Sequence, residues 1–283
     1  MQTITVQKTK DCKEKVKTTV LLSDSRQTIK EPCILVENGQ LIAIYTYLEK
    51  DTTELLRSVM NIEYVTGKRA RGLLSTSRIF GTRPRLTSHH DYCSNTSLQY
   101  DFPSQNDVIC SFGKDMEAIY KEHSPERYAK HVEEVKDVLP EWKIADTVFT
   151  SGIVNKNNQL KYYFDTGNFN NVFSAMIVLK AGVRGGNLCL PEYEIDFELG
   201  NNAVLLFDGQ NILHGVTPIF RDYPTAYRYS LVYYSLKQVR KCLPFQEEIQ
   251  RIRDTKMQRE ITRHSMPAEH RASLERRLLD DNL

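Results

Sequence analysis

The sequence predicts an α+β protein in which helices pack on one face of an antiparallel jelly roll. Apolar residues recur at helical spacing over residues 53–62, 107–122 and 125–139. From Thr147 onward the period changes to two, and short apolar runs alternate with turn residues. This pattern favours a sandwich or barrel over a parallel sheet. Helices followed by strands complete the α+β arrangement.

The chain length bounds the number of domains. With 283 residues, 40% hydrophobic and 26% charged, the chain can bury one large core. We predict one domain over residues 1–240, with its β core at about 147–237, and a charged helical tail over 241–283. No run approaches the roughly 20 apolar residues of a membrane span, and no signal-peptide pattern is present. Oligomeric state is left undetermined.

Individual elements follow from local signals. Residues 33–36 and 41–45 read as strands joined by an Asn38-Gly39 turn, which predicts a hairpin. Ser124 and Pro125 are typical of a helix start. Within the β core we predict a hairpin formed by Thr147–Val154 and Gln159–Phe164, and then six strands: Val172–Lys180, Leu188–Leu190, Glu194–Leu199, Ala203–Phe207, Leu213–Thr217 and Ala226–Leu236.

Cysteine usage and charge indicate the compartment and a partner. The six cysteines are scattered and form no CxxC pair, which favours a reducing cytosol or a nucleus. Net charge is only +2, yet residues 66–86 carry six basic residues and no acidic one. Such a segment would attract nucleic acid, or else its charges are simply solvated; both interpretations stay open. The six are Lys68, Arg69, Arg71, Arg78, Arg83 and Arg85.

The most informative residues are Asp165, His214 and Arg228. Non-haem Fe(II) oxygenases bind iron through two histidines and one carboxylate, and keep the remaining positions for 2-oxoglutarate and O₂. A carboxylate at one strand end and a histidine on a facing strand suit two of these ligands. An arginine shortly afterwards suits the distal carboxylate of 2-oxoglutarate, because its planar guanidinium matches a carboxylate with two hydrogen bonds.

Five fragments around these residues resemble the TET/JBP group of 2-oxoglutarate oxygenases, above all its compact phage and fungal members. The resemblance covers roughly residues 75–240 and is strongest over 163–234. Their order and spacing make the resemblance specific. The fragments are Phe173–Leu179, Gly185–Pro191, Val204–Gly209, His214–Pro218 and Tyr227–Val232.

This resemblance implies a double-stranded β-helix (cupin-like) fold, with Fe(II), 2-oxoglutarate and O₂ as cofactor and co-substrates. Asp165 and His214 would bind the metal, and Arg228, with Ser230 as a helper, would bind 2-oxoglutarate. Arg78, in a segment that resembles the family's entry region, is a further candidate for binding 2-oxoglutarate or DNA.

The resemblance also implies the substrate. The family oxidises the 5-methyl group of a pyrimidine, cytosine or thymine, in DNA, after the base leaves the helix. Asn168 stands where the family contacts the base, and Tyr234 where it stacks on the base. The alternatives are a turn residue for Asn168 and a half-buried strand aromatic for Tyr234. The implied place of action is the cytoplasm or nucleus, or a host cytoplasm for a phage-encoded protein.

One position departs from the family, which has His-x-Asp where this chain has Tyr163-Phe164-Asp165. A neutral phenol is a poor ligand, and a phenolate favours Fe(III) over Fe(II). Three interpretations stay open: a pseudo-enzyme, an unusual Tyr/Asp/His site, or a His-to-Tyr change in this particular chain. A competing His-x-Asp, His89-His90-Asp91, reads better as a surface loop.

Three functions therefore compete. The first is a DNA-modifying dioxygenase. The second is a non-catalytic nucleic-acid-binding protein that has lost the metal. The third is an oxygenase of the same fold acting on RNA, a nucleotide or a protein, because fold alone does not decide the substrate.

Overall fold

The computed structural model describes residues 1–68, 74–84 and 91–265. Arg69, Arg71 and Arg85 of the basic segment lie outside the described residues, as do His89 and His90. The tail beyond residue 265 also lies outside them.

The described chain forms sixteen strands and five α-helices. The strands are β1 Gln2–Thr5, β2 Gln27–Ile29, β3 Cys33–Glu37, β4 Gln40–Tyr47, β5 Val65–Lys68, β6 Leu74–Pro84, β7 Cys93–Asn95, β8 Ser151–Lys156, β9 Ser174–Ala181, β10 Val183–Gly185, β11 Leu188–Leu190, β12 Ile195–Phe197, β13 Ala203–Phe207, β14 Gly215–Val216, β15 Ile219–Arg221 and β16 Tyr227–Tyr234. The helices are α1 Thr53–Met60, α2 Leu98–Asp101, α3 Pro103–His123, α4 Pro125–Glu134 and α5 Phe245–Ser265.

Two main sheets organise the molecule. The large sheet has ten strands in the order β1-β3-β4-β13-β9-β16-β8-β6-β5, with β7 paired to β6. The small sheet has the order β14-β11-β12-β2, and β10 and β15 form a separate pair. Both main sheets are mixed, because β1 runs parallel to β3 and β2 runs parallel to β12. These large mixed sheets with five helices are compatible with the predicted α+β class.

The central strand β16 shows how the large sheet separates two environments. Tyr229 and Leu231 belong to the core shared with the helices, whereas Val232 packs against the core shared with the small sheet. Because successive side chains of a strand point to opposite faces, Arg228 and Ser230 share the face of Val232. The side chains predicted to bind 2-oxoglutarate on β16 therefore face the small sheet.

The predicted hairpin near the N-terminus is confirmed, since β3 and β4 pair in antiparallel register. Asn38 and Gly39 both have positive φ, 49° and 76°, as a tight turn between twisted strands requires. No local pattern indicated that β4 also pairs with β13 and so extends the large sheet. The N-terminal strands are thus part of the core, not an addition to it.

The second predicted hairpin is wrong. Strand β8 pairs with β16 and β6, and no strand follows it over residues 159–164. The side chain of Asn158 donates to Thr76 of β6, so the turn is held by a strand that the sequence did not predict. Beyond it the Tyr162 N–H donates to the Thr18 carbonyl, and the chain runs beside the N-terminal segment.

The first turn of α5 is anchored to the domain. A disulfide joins Cys93 to Cys242, residues 149 positions apart that no local sequence pattern connects. The buried Glu248 carboxylate accepts from the Cys93 N–H and the Leu243 N–H, both at 2.9 Å. The predicted tail therefore begins as part of the packed structure.

None of the helices in the described ranges is long and apolar enough to cross a membrane.

A buried histidine links α4 to the large sheet. The Ser235 hydroxyl donates to the Val148 carbonyl at 2.6 Å, so the His131 Nε2–H donates to that hydroxyl at 2.9 Å. Burial lowers the pKa of His131 to about 3. The unfolded chain, with an ordinary pKa near 6.5, takes up this proton first as the pH falls.

We therefore predict that His131 makes folding acid-sensitive. The free energy that neutral His131 contributes to folding is fully present above pH 6.5. It is lost as the pH falls towards 3, by about 2 kcal/mol between pH 7 and pH 5. Urea unfolding at both pH values should show that this loss is smaller by that amount in His131→Gln, which keeps a donor but does not titrate. Equal losses in the two proteins would contradict the prediction.

Candidate metal and cosubstrate site

The two predicted metal ligands lie together at the edge of the small sheet. Tyr163 and His214 form an antiparallel bridge, with backbone N–H groups donating in both directions at 2.9 and 3.2 Å. This bridge places Asp165, two residues further along, beside His214. The Asp165 Oδ2 and His214 Nε2 atoms are 3.9 Å apart. The structure thus brings together residues that are distant in the sequence.

The imidazole of His214 is oriented for metal binding. Its Nδ1 lies 2.9 Å from the Ile212 carbonyl, which can only accept, so Nδ1 carries the proton. The lone pair then resides on Nε2, the atom nearest to Asp165. The ring also packs edge-on against Phe207, with 4.9 Å between centroids. A histidine fixed by a backbone carbonyl in this way is typical of metal ligands.

A single turn after β13 positions both ligands. The Asp165 N–H donates to the Gly209 carbonyl at 2.8 Å, and the Ile212 carbonyl receives the His214 proton. The buried Asp208 carboxylate holds the turn by accepting from the Asn211 backbone N–H at 3.2 Å and side-chain Nδ2 at 2.9 Å. The turn is thus rigid where the metal ligands depend on it.

Glycine is required in that turn. A Cβ at Gly209 would lie 2.3 Å from Asp165 Oδ2 and 3.2 Å from His214 Cε1. Sequence reasoning included Gly209 only as the end of a fragment and missed this role. The Asp-Gly pair after a buried strand was the available indication.

Tyr163 occupies the position of the missing histidine. Its ring lies beside that of His214, with 4.3 Å between centroids and a tilt of 57°. Among the described residues no group of three His, Cys, Asp or Glu side chains could hold a metal ion. His214 and Asp165 therefore offer two side chains that suit a metal ion. The side chain at the position of the expected third ligand is the phenol of Tyr163.

Arg228 carries a deeply buried guanidinium. It is 2% exposed, and its Nε and Nη2 atoms have no hydrogen-bond partner within the described ranges. Burial lowers its pKa to about 10, so the side chain remains charged at neutral pH. A buried, unpaired guanidinium is costly. The arrangement suits an incoming carboxylate, which would pair with it.

The surroundings of Arg228 maintain this space. Gly186 has a φ of 68°, and a Cβ there would lie 2.7 Å from Arg228 Cδ. Ser230 is buried on the same face, two residues along β16. Lys180 pairs with Arg228 in the strand register, and burial together with the Arg228 charge lowers the pKa of its ammonium group. This end of the sheet interior is thus strongly cationic.

The predicted base-binding residues, Asn168 and Tyr234, lie close to each other in the fold, because Asn168 bridges to Leu236, two residues beyond Tyr234. Asn168 is buried, its N–H donates to the Asp165 carbonyl at 3.2 Å, and its side-chain amide donates to Ser174 at 3.2 Å. Asn168 therefore does act as a turn residue, and its side-chain amide also contacts strand β9. Tyr234 is half-buried at the end of β16, on the face shared with Arg228. A role in base binding remains a proposal for both.

Arg78 does not join the pocket, which corrects its assignment as a 2-oxoglutarate-binding candidate. In the strand register it aligns with Val154, whose side chain belongs to the helix-facing core. It forms an ion pair with Asp101 and lies over the Phe102 ring at 5.8 Å. A one-residue difference in register decides the face of a strand residue, and the sequence alone did not place β6.

The remaining candidates are dispersed. Lys68 ends β5, at the outer edge of the large sheet, and Arg83 is exposed on β6. In the competing His-x-Asp, Asp91 pairs with Arg251 at 2.9 Å, so its carboxylate is engaged by α5. The structure does not bring Asp91 to the site of Asp165 and His214.

Sequence comparison identifies relatives of this chain. The profile of Tet_JBP, described as the oxygenase domain of the 2OGFeDO superfamily, matches residues 89–237, more than half of the chain. The bifunctional helicase and thymine dioxygenase JBP2 of Trypanosoma brucei brucei is 26% identical over 204 residues, 69% of this chain and 18% of that protein. The thymine dioxygenase JBP1 of Trypanosoma brucei brucei is 26% identical over 160 residues, 53% of this chain and 19% of that protein. The chain spans less than a fifth of the length of these relatives.

Structural comparison agrees at the level of the fold. NgTET1, solved in complex with 5mC DNA, superposes with a TM-score of 0.58 at 14% sequence identity. The match covers 76% of this chain and 80% of that one. The chain therefore shares the fold of a 2-oxoglutarate oxygenase.

Proposed function

Because the chain belongs to the Tet_JBP family of oxygenase domains, we propose that it is an Fe(II)- and 2-oxoglutarate-dependent dioxygenase acting on DNA. Its reaction would be hydroxylation of the 5-methyl group of a pyrimidine, thymine or 5-methylcytosine. The finer fold proposed with it is a double-stranded β-helix formed by the two facing sheets. The observation that carries the proposal is the buried, unpaired Arg228 on the sheet face that packs towards the sheet edge bearing His214 and Asp165.

The residues present would divide the binding tasks. His214 Nε2 and Asp165 would hold the iron, and Arg228 with Ser230 would bind the distal carboxylate of 2-oxoglutarate. Once bound, iron, O₂ and 2-oxoglutarate supply an oxidant able to attack a methyl group. Burial of Arg228 would exclude water from an ion pair with that carboxylate and so strengthen it. Asn168 and Tyr234 would position the extruded base by hydrogen bonding and stacking.

The substrate class follows from the relatives. The two trypanosomal proteins are thymine dioxygenases, and the structural relative holds DNA that contains 5-methylcytosine. These properties support a methylpyrimidine in DNA as the substrate here. An intracellular place of action, where DNA is accessible, is part of the same proposal.

Tyr163 favours a second candidate, a non-catalytic nucleic-acid-binding protein that keeps the pocket. A phenol beside His214 replaces the third metal ligand, and neutral phenols bind Fe(II) poorly. This candidate predicts DNA binding that weakens with salt and no stoichiometric iron. One tightly bound metal ion per unaltered chain would exclude it.

The deciding experiment compares the unaltered chain with Tyr163→His. We expect the substitution to raise Fe(II) affinity and succinate formation at least about tenfold, because even an outer-shell partner of a metal is worth 10–100-fold. Metal titration, succinate release with methylated DNA and mass spectrometry of the nucleosides provide the readouts.

The matched control is Tyr223→His. Tyr223 is 46% exposed and packs against Gly182, between β9 and β10, so this variant adds a histidine without completing the site. An equal increase in both variants, or none in Tyr163→His, would show that Asp165 and His214 are not the metal site.

A further inference from the structure

We propose that Lys8, Lys10 and Lys13 bind backbone phosphates of the polynucleotide that enters the site. The proposal rests on the proposed function and names a binding surface for its substrate. These three residues, here called the lysine wall, precede β2 on the N-terminal segment. Neither the basic segment at residues 66–86 nor the metal pocket includes them.

The lysine wall lines a cleft next to the metal site. The cleft has a volume of about 820 Å³, and Phe164, Thr166, Gln210 and Asn211 line it together with the three lysines. Phe164 and Thr166 flank Asp165 in the sequence. Gln210 and Asn211 follow Gly209, whose carbonyl holds the Asp165 N–H. A strand with its reacting nucleotide near Asp165 would therefore extend into this cleft.

The cleft lining carries three ammonium groups and two carboxylates, those of Asp11 and Glu192. Lys8 pairs with Glu192 and Lys10 with Glu194, both at 3.0 Å. The lysine side chains are 42% and 41% exposed, whereas the two glutamates are 8% and 13% exposed. The glutamate carboxylates thus lie beneath the ammonium groups.

Each ammonium group keeps capacity for an incoming phosphate. Lysine has three donors, so a hydrogen bond to a glutamate leaves others free for a second anion. Lys13 is 79% exposed and, among the described residues, pairs with the exposed Asp11 at 3.1 Å. Exposed pairs of this kind are weak, and a phosphate can replace the carboxylate.

The wall is fixed before any ligand arrives. The Thr9 N–H and hydroxyl both donate to the Glu192 carbonyl, at 2.8 and 3.2 Å. The Lys8 N–H donates to Glu37 of β3 at 2.8 Å. Because this backbone is already ordered, binding at the wall loses little conformational entropy.

The uncharged residues that line the cleft suit a nucleic-acid strand. Phe164 offers an aromatic surface, and Thr166, Gln210 and Asn211 offer polar groups for sugars and bases. Cations together with an aromatic and polar groups are the combination by which proteins hold single strands. We therefore assign the cleft to the strand flanking the modified nucleotide.

The test compares two triple variants of the full chain. One replaces the wall, Lys8→Gln, Lys10→Gln and Lys13→Gln. The control replaces Lys30, Lys50 and Lys136 with Gln; these side chains are 66%, 50% and 56% exposed, and each is also paired with a carboxylate. The two variants change net charge equally. Anisotropy of a fluorescein-labelled oligonucleotide containing 5-methylcytosine, from 50 to 300 mM NaCl, gives the affinity and its salt slope.

We expect the wall variant to bind at least tenfold more weakly at low salt, with a salt slope reduced by about 2 to 3, since each phosphate contact contributes about 0.9. The control variant should stay within about twofold of the unaltered chain. Replacing the same three lysines with Arg, which keeps the charge, should preserve the slope. Thermal unfolding and 2-oxoglutarate binding verify that each variant is folded.

Equal losses in the two Gln variants, an unchanged slope in the wall variant, or no DNA binding by the unaltered chain would each overturn the proposal. Failure of the proposed function looks different. In that case 2-oxoglutarate and metal would not bind the unaltered chain, whatever the wall variants do. Retained cofactor binding with an unchanged salt slope would reject the lysine wall alone.

Discussion

Replacing Arg228 with Met should reduce the affinity for 2-oxoglutarate by about 100-fold or more. The guanidinium is buried and charged, and its Nε and Nη2 atoms have no hydrogen-bond partner among the described residues. Two charge-assisted hydrogen bonds to a carboxylate are worth about 1.5–3 kcal/mol each, and 1.4 kcal/mol corresponds to tenfold in affinity. Calorimetric titration of 2-oxoglutarate into the Mn(II)-loaded protein measures the loss.

The same substitution should not destabilise the protein without ligand. A buried cation that lacks a partner costs free energy, so a Met of similar length should leave the thermal unfolding temperature unchanged or raise it. A purely structural arginine would do the opposite. The matched control, Arg184→Met, removes an exposed arginine that pairs with Asp222 at 2.8 Å and should leave 2-oxoglutarate binding intact. Retained binding in Arg228→Met would refute the assignment of this residue.

Gly209→Ala should disrupt the metal site. The added Cβ would lie 2.3 Å from Asp165 Oδ2 and 3.2 Å from His214 Cε1, so the carboxylate must move. The same turn supplies the carbonyl that holds the Asp165 N–H. We expect the affinity for Mn(II) or Co(II) to fall by more than the 10–100-fold typical of losing an outer-shell partner.

Gly200→Ala is the control for that substitution. The atoms nearest to its Cβ would belong to the Tyr47 side chain, with the hydroxyl at 3.1 Å, and Tyr47 is 38% exposed. Metal affinity should be unchanged there. If both variants bind metal like the unaltered chain, Gly209 does not act through Asp165, and the described geometry of the turn is wrong.

Much of the site could be predicted from the sequence because its residues follow local strand patterns. Arg228 lies in a long alternating run that forms β16, and His214 directly precedes β14, whereas Asp165 follows a bridge at Tyr163 and not the predicted strand. The helices at 103–123 and 125–134 were also indicated, since apolar spacing and Pro125 are local signals. Because successive side chains of a strand point to opposite faces, the sequence shows which residues of one strand share a face.

Long-range pairing could not be predicted in the same way. Arg78 was assigned to the pocket, yet the register of β6 with β8 turns it to the helix-facing side. The hairpin after Thr147 was wrong, because β8 finds its partners in β16 and β6. The alternation shows that neighbouring residues of a strand point to opposite faces of the sheet. Only the pairing with a partner strand determines which of the two faces each residue occupies.

The orienting groups of the site were also beyond sequence reasoning. The Ile212 carbonyl fixes the His214 proton, and Gly186 leaves room for the Arg228 side chain. Backbone carbonyls carry no sequence signature, and the need for glycine arises only where two distant segments approach closely. The sequence did show that Tyr163 departs from the family pattern. The structure adds that its ring contacts the ring of His214.

The central claim is that Asp165, His214 and Arg228 form one pocket for a metal ion and 2-oxoglutarate. The most direct measurement is calorimetric titration of 2-oxoglutarate into the unaltered chain, with and without saturating Mn(II). We expect one 2-oxoglutarate to bind per chain, more tightly with the metal, because the two ligands would share the pocket and their coupling is reciprocal. Absence of binding, or an affinity that does not depend on the metal, would contradict it.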